Sequence, residues 1–128
     1  MNVLILGDGL TSITLAKMLV NNGIKVDIFS NKKTKKYNKI QTLGISKTNV
    51  EFFNKNILNI KNFLWNIDNI EIYSENLKNE KILNFENKEN NLFFMTRNYD
   101  LYNHLLLNLK KDKLIEFKKD IKYRNLEK

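Results

Sequence analysis

Residues 1–33 read MNVLILGDGLTSITLAKMLVNNGIKVDIFSNKK, and this stretch restricts the chain to few folds. Val3 to Leu6 is a short apolar run of the kind that forms a parallel strand buried on both faces. Gly7-Asp8-Gly9-Leu10-Thr11-Ser12 follows without a break. Leu10, Ile13, Leu15, Ala16, Leu19 and Val20 then recur at helical spacing. Gly23 stands where a helix ends on a left-handed residue, and Val26 to Phe29 reads as a second strand. Strand, glycine turn, helix and strand in that order predict a βαβ-type start.

The turn has its own physical chemistry. Gly7 allows a tight exit from the strand, and Gly9 carries no side chain to keep a ligand from the backbone. The amides of Leu10, Thr11 and Ser12 open the helix, where the dipole favours an anion. The pattern is a G-x-G-x-x-G fingerprint with Ser12 in its third position, where Gly or Ala allows close helix–strand packing. It follows a strand and opens a helix, which is the context that gives a weak motif meaning. Gly7, Gly9, Leu10, Thr11 and Ser12 are therefore candidate contacts for a dinucleotide diphosphate, with a plain strand-to-helix turn as the other reading. Ser12 either adds a hydroxyl bond or only packs the turn.

Composition narrows the class. The 128 residues are 42% hydrophobic and 11% aromatic, which fits one folded domain with a real core. There is no cysteine, so disulfides and thiolate chemistry are excluded. Without a signal-like N-terminal segment or an apolar run near the roughly 18 residues of a membrane span, the expected compartment is the cytoplasm. The net charge of +8 invites a nucleic-acid reading, yet arginine occurs only at Arg97 and Arg124. A solvated lysine surface spread along the chain accounts for the charge better, so no nucleic-acid partner is expected.

Along the rest of the chain, 31–39 is a basic loop and Ile40 to Ile45 is short and apolar. Ser46 fits as the N-cap of a helix carrying Val50 and Phe53. The spacing of Ile57, Ile60, Phe63 and Leu64 predicts a second short helix up to Trp65. Alternation then predicts strands at 70–73, 81–85 and 92–96, arranged as an antiparallel meander. Asn98 or Asp100 would cap a helix carrying Leu101, Leu105 and Leu109. Leu114 to Phe117 is a strand, and Ile121 to Tyr123 begins another. The expected fold is α/β: a Rossmann-like parallel sheet with an inserted antiparallel layer between its second and third strands. In domain terms, 1–128 is expected to be a single dinucleotide-binding unit, with 1–33 and 112–128 as the nucleotide fold and 40–111 as the insertion.

Three stretches carry a family resemblance: GDGLTSITLAKMLVNNGIKVDIFS, QTLGISKTNVEFFNK and FFMTRNYDLYNHLLLNL. In that order they resemble the flavin-dependent aromatic hydroxylases, in particular the ubiquinone-precursor hydroxylases related to para-hydroxybenzoate hydroxylase. The third stretch matches the family's Asn-x-x-Leu-x-x-x-Leu run at Asn98, Leu101 and Leu105. The resemblance implies FAD as cofactor, with reduced flavin activating oxygen for ring hydroxylation and NAD(P)H supplying electrons. It also implies departures. Ser30 stands where the family has a ribose-binding Glu, and Gln41 where it has an arginine near the FAD phosphates. The family's Asp-Gly and Gly-Asp motifs, and most of its substrate pocket, would fall beyond residue 128, so the chain is expected to be catalytically incomplete alone.

Two other classes stay open. Ser30, Asn31, Lys32 and Lys33 offer a neutral residue with nearby cations, as a 2′-phosphate requires, which favours an NADP-binding reductase-like domain; a solvated loop is the alternative. A non-catalytic remnant, or one half of a split enzyme with a companion chain, or a homodimer, is the other class. Asp27 reads as a surface strand residue. Arg97 either reaches phosphate or forms a surface ion pair. His104 is the single histidine, so a metal site is not expected, and no Ser/His/Asp arrangement points to nucleophilic catalysis. Trp65 and the Phe52-Phe53 and Phe93-Phe94 pairs read as core.

Overall fold

The structure, a computed structural model, describes residues 1–30, 40–75, 80–86 and 93–119. The expected basic loop at 31–39 and the strand at 121–123 lie outside these residues. The chain opens with β1 (Asn2–Leu6), α1 (Leu10–Asn21) and β2 (Lys25–Ser30). α1 ends in a Schellman pattern: Gly23 at φ +75 donates to Val20, and Ile24 to Leu19. That close turns the chain back so that β2 runs parallel to β1, with Leu4 beside Asp27 and Leu6 beside Phe29.

The final described strand, β8 (Ile115–Lys119), lies parallel to β2 on its other side, giving the order β1-β2-β8. The remaining described elements lie between β2 and β8 in sequence. β3 (Thr42–Ile45) leads into α2 (Lys47–Asn56), whose first turn is capped by Ser46 accepting from the Asn49 amide at 3.2 Å. β4 (Trp65–Ile67) and β7 (Phe93–Arg97) join β3 in an antiparallel sheet of order β3-β7-β4. β5 (Asn69–Tyr73) and β6 (Lys81–Glu86) form a separate two-stranded sheet. The fold is thus the mixed α/β arrangement read from the sequence, with the antiparallel layer between the second and third parallel strands.

α3 (Asn98–Leu109) packs with α1 on one face of the parallel sheet. Ile13 and Val20 of α1, Leu105 and Leu109 of α3, and Val26 and Ile28 of β2 make one buried cluster. Ile57 and Ile60, between α2 and β4, join it.

Several expectations are corrected. Residues 57–65 are not a helix; only a 3₁₀ turn forms at Lys61–Phe63, and Trp65 begins β4. The Asn54 side chain accepts from the Ile60 amide at 2.8 Å and Asn59 from the Lys61 amide at 3.0 Å, so side chains take the donors a helix would use. The meander is not formed either, because β7 pairs with β3 and β4, not with β6. Neither Asn98 nor Asp100 caps α3; Arg97 holds the cap position without a side-chain bond. Trp65 and Phe52 are not core, at 45% and 48% exposure. Asp27 is not a surface residue but 5% exposed. β1 is buried on one face only, since Ile5 is in the core while Leu4 and Leu6 are about half exposed.

Candidate functional site

The glycine turn connects β1 to α1 at the carboxyl edge of the parallel sheet, where open α/β sheets bind ligands. Gly7 has φ +102, a left-handed conformation that a side chain would strain. Its amide donates to the Phe29 carbonyl at 2.8 Å, tying the turn to the end of β2. Gly9 is extended at φ −70, ψ 171 and occupies the cap position of α1. Its carbonyl accepts from Ile13 at 3.0 Å, which is the first intrahelical bond. The amides of Leu10, Thr11 and Ser12 precede that bond and have no helical acceptor. No side chain caps them, and the first turn of α1 holds no acid.

A methyl group built on Gly7 would lie 3.8 Å from Ser12 Oγ. Ser12 therefore packs against the turn, and the third fingerprint position has room for a hydroxymethyl group. Ser30 ends β2, on the same edge as the turn and half-buried. Asn31 and Lys32 lie outside the described residues. Asp27 belongs to the opposite side of β2. Its Oδ2 accepts from Lys118 Nζ at 2.9 Å and from Asn2 Nδ2 at 3.2 Å. The Lys118 ammonium holds the carboxyl below its ordinary range.

A second corner gathers Gln41, Arg97 and Asn98, although Gln41 and Asn98 are 57 positions apart in sequence. The Asn98 amide donates to the Gln41 carbonyl at 2.9 Å, and Asn98 Nδ2 donates to Gln41 Oε1 at 3.3 Å. Asn98 Oδ1 and, two residues earlier in β7, Thr96 Oγ1 are buried without a protein partner. Arg97 is exposed; its guanidinium lies 5.4 Å from the centroid of the Trp65 ring and 4.0 Å from Asp100 Oδ2. The sequence offers Asn98 both as a cap candidate and as the first position of the family run, and gives Thr96 no role beyond its strand. The signal available was the Asn-x-x-Leu-x-x-x-Leu run itself.

A largely apolar cleft of about 360 Å³ lies beside the start of α1. Leu10 and Thr14 of α1 and Leu101 of α3 line it on one side, and Leu43, Ile45 and Phe53 on the other. The turn supplies unpaired donors, the second corner supplies unpaired polar atoms, and the cleft supplies an apolar wall. Among the described residues no group of three His, Cys, Asp or Glu side chains could hold a metal ion. No helix among them is long and apolar enough to cross a membrane.

The fold is that of part of an FAD-dependent monooxygenase. The chain superposes on p-nitrophenol 4-monooxygenase PnpA from Pseudomonas putida with a TM-score of 0.73 at 13% identity, over 91% of this chain and 31% of that one. PqsL from Pseudomonas aeruginosa, in complex with 2-aminobenzoylacetate, gives 0.75 at 15% identity, over 92% and 33%. HpxO from Klebsiella pneumoniae, complexed with FAD and uric acid, gives 0.68 at 14% identity, over 91% and 30%. The chain spans about a third of the length of the structures it matches. No family model matches the sequence, and no curated protein matches it.

Proposed function

We propose that this chain binds FAD through its diphosphate and is the cofactor-binding portion of an aromatic-ring monooxygenase. The observation that carries the reading is the turn itself: Gly7 held left-handed and bonded to Phe29, with the amides of Leu10, Thr11 and Ser12 open beyond it. In this reading the nucleotide fold is 1–33 with 112–128, and 40–111 is the insertion. Ser30 faces the adenosine ribose, and Asn31 and Lys32 follow it in sequence. Gln41, Arg97 and Asn98 meet the chain beyond the diphosphate. The buried, unpartnered Asn98 Oδ1 and Thr96 Oγ1 support this, since buried polar atoms ordinarily have a partner.

FAD, when bound in such a fold, supplies the flavin chemistry of oxygen activation. This chain's contribution is to bind and orient the adenosine half. Ser30 offers the ribose one neutral hydroxyl where a carboxylate would accept from both ribose hydroxyls. Hydrogen bonds to charged groups are worth about 1.5–3 kcal/mol against about 1 for neutral ones. The difference corresponds to roughly tenfold weaker binding, so the purified chain is expected to hold little flavin.

Titration with FAD, ADP, FMN and NADPH, followed by thermal shift, tests the reading. FAD and ADP should stabilise the chain and FMN should not. NADPH acting in preference to FAD would move the assignment to the reductase class.

A further inference from the structure

Beyond α2 the chain leaves the helical path, and that departure frames a cavity of about 430 Å³. Lys47, Val50, Glu51 and Asn54 stand three and four residues apart on α2 and so share one of its faces. The rest of the lining is Lys61 and Leu64 at the 3₁₀ turn, Asn66 of β4 and Phe94 of β7. Asn54 Oδ1 accepts from the Ile60 amide at 2.8 Å, which ties the helix to the segment before the turn. The volume lies inside the roughly 300–1,000 Å³ range of small-molecule sites.

This cavity shares no lining residue with the cleft beside α1. Strand alternation puts Phe94 and Arg97 on opposite faces of β7. The cavity therefore lies across the antiparallel sheet from the Arg97 guanidinium, and it uses nothing of the glycine turn.

Its chemistry carries both signs of charge over an apolar floor. Val50 is 6% exposed, and Leu64 and Phe94 are half-buried. Lys47, Glu51 and Lys61 are exposed and bring two positive charges and one negative charge to the rim. With Oδ1 engaged by Ile60, the Asn54 side chain offers Nδ2 as a donor. A simple anion would meet the Glu51 carboxylate here, and a simple amine would meet the lysines. A small molecule with an apolar body and both charges on neighbouring atoms answers every group.

We infer that this cavity binds a free α-amino acid with an apolar side chain. Its carboxylate faces Lys61 and Asn54 Nδ2, its ammonium faces Glu51, and its side chain covers Val50, Leu64 and Phe94. The inference stands or falls independently of the cofactor reading.

NMR titration of the isotope-labelled chain with phenylalanine, N-acetylphenylalanine, phenylalaninamide and glycine tests it. Phenylalanine should give saturable shifts in the amides of 47–54, 61–66 and 94, and none at 7–12. N-acetylphenylalanine lacks the ammonium and phenylalaninamide the carboxylate. Each should bind about two- to fivefold more weakly, the worth of one exposed ion pair. Glycine, without an apolar side chain, should not saturate. Glu51→Gln should weaken phenylalanine by the same factor and leave N-acetylphenylalanine no weaker. Lys61→Gln should weaken phenylalanine and leave phenylalaninamide no weaker. Asn66→Trp, at an exposed position, fills the cavity and should abolish the shifts with unchanged circular dichroism. The inference is overturned by the absence of saturable shifts at these residues, or by either one-charge analogue binding as tightly as phenylalanine. Glu51→Gln weakening phenylalanine and N-acetylphenylalanine alike, or shifts that persist in Asn66→Trp, would overturn it too.

Discussion

The amide of Gly7 donates to the carbonyl of Phe29 across 2.8 Å, so the turn that leaves β1 is locked to the end of β2. The lock holds Gly7 at φ +102 and aims the first amides of α1 at the sheet's carboxyl edge. Gly7→Ala should cost about 1–2 kcal/mol through left-handed strain, read as a lower midpoint in urea. Since the built methyl meets nothing closer than Ser12 Oγ at 3.8 Å, the loss comes from the backbone and Ser12→Ala should not relieve it.

Asp27 gives the fold a pH dependence of known sign. The Lys118 ammonium, and after it the Asn2 amide, favour its charged form and lower its pKa below 3.8. A carboxyl whose folded pKa is depressed stabilises the fold above its unfolded pKa and loses that contribution as pH falls through the folded one. Stability should therefore drop below about pH 4, and less steeply in Asp27→Asn. Glu71, held down to about 2 by Lys81 and Tyr73, adds a drop over the same side of the scale. Urea midpoints between pH 2 and pH 6 read both.

The helix α3 separates buried from exposed leucines. Leu105 is 0% exposed and Leu107 61%. Leu105→Ala should cost about 2–5 kcal/mol, and Leu107→Ala within about 0.5 kcal/mol of zero. Equal effects would mean that α3 does not seat Leu105 against Ile13 and Ile28.

Ser30→Glu places a carboxylate at the end of β2, where the flavin hydroxylases that this chain resembles carry Glu. If Ser30 faces the adenosine ribose, FAD and ADP affinity should rise about tenfold and that for NADPH should fall. No change in FAD affinity would remove Ser30 from the site.

What the sequence made legible was local. Val3 to Leu6, the glycine turn, the stripe of α1 and Gly23 each call for the same βαβ start, and they agree with one another. Ser46 capping α2 is equally local. The pattern of Ile57 and Ile60 correctly marked burial but not conformation, because Asn54 and Asn59 side chains compete for the backbone donors. Pairing was out of reach: nothing near β7 in sequence shows that Phe94 lies between Ile45 and Asn66. The burial of Asp27 depends on Lys118 and Asn2 arriving from β8 and β1. Trp65 stays exposed beneath the Arg97 guanidinium, a contact made by two strands brought together across the sheet. The same limit kept Gln41 and Asn98 from being read as one corner.

The central claim is that the amides of Leu10, Thr11 and Ser12 hold a dinucleotide diphosphate. Equilibrium titration of FAD by flavin fluorescence, with ADP as competitor, tests it most directly when repeated on Gly9→Val, whose side chain would stand between ligand and backbone. Saturable FAD binding that ADP displaces, and that Gly9→Val abolishes while the fold persists by circular dichroism, is the expected result. Binding that is absent from the unmodified chain, or undiminished in Gly9→Val, would contradict it.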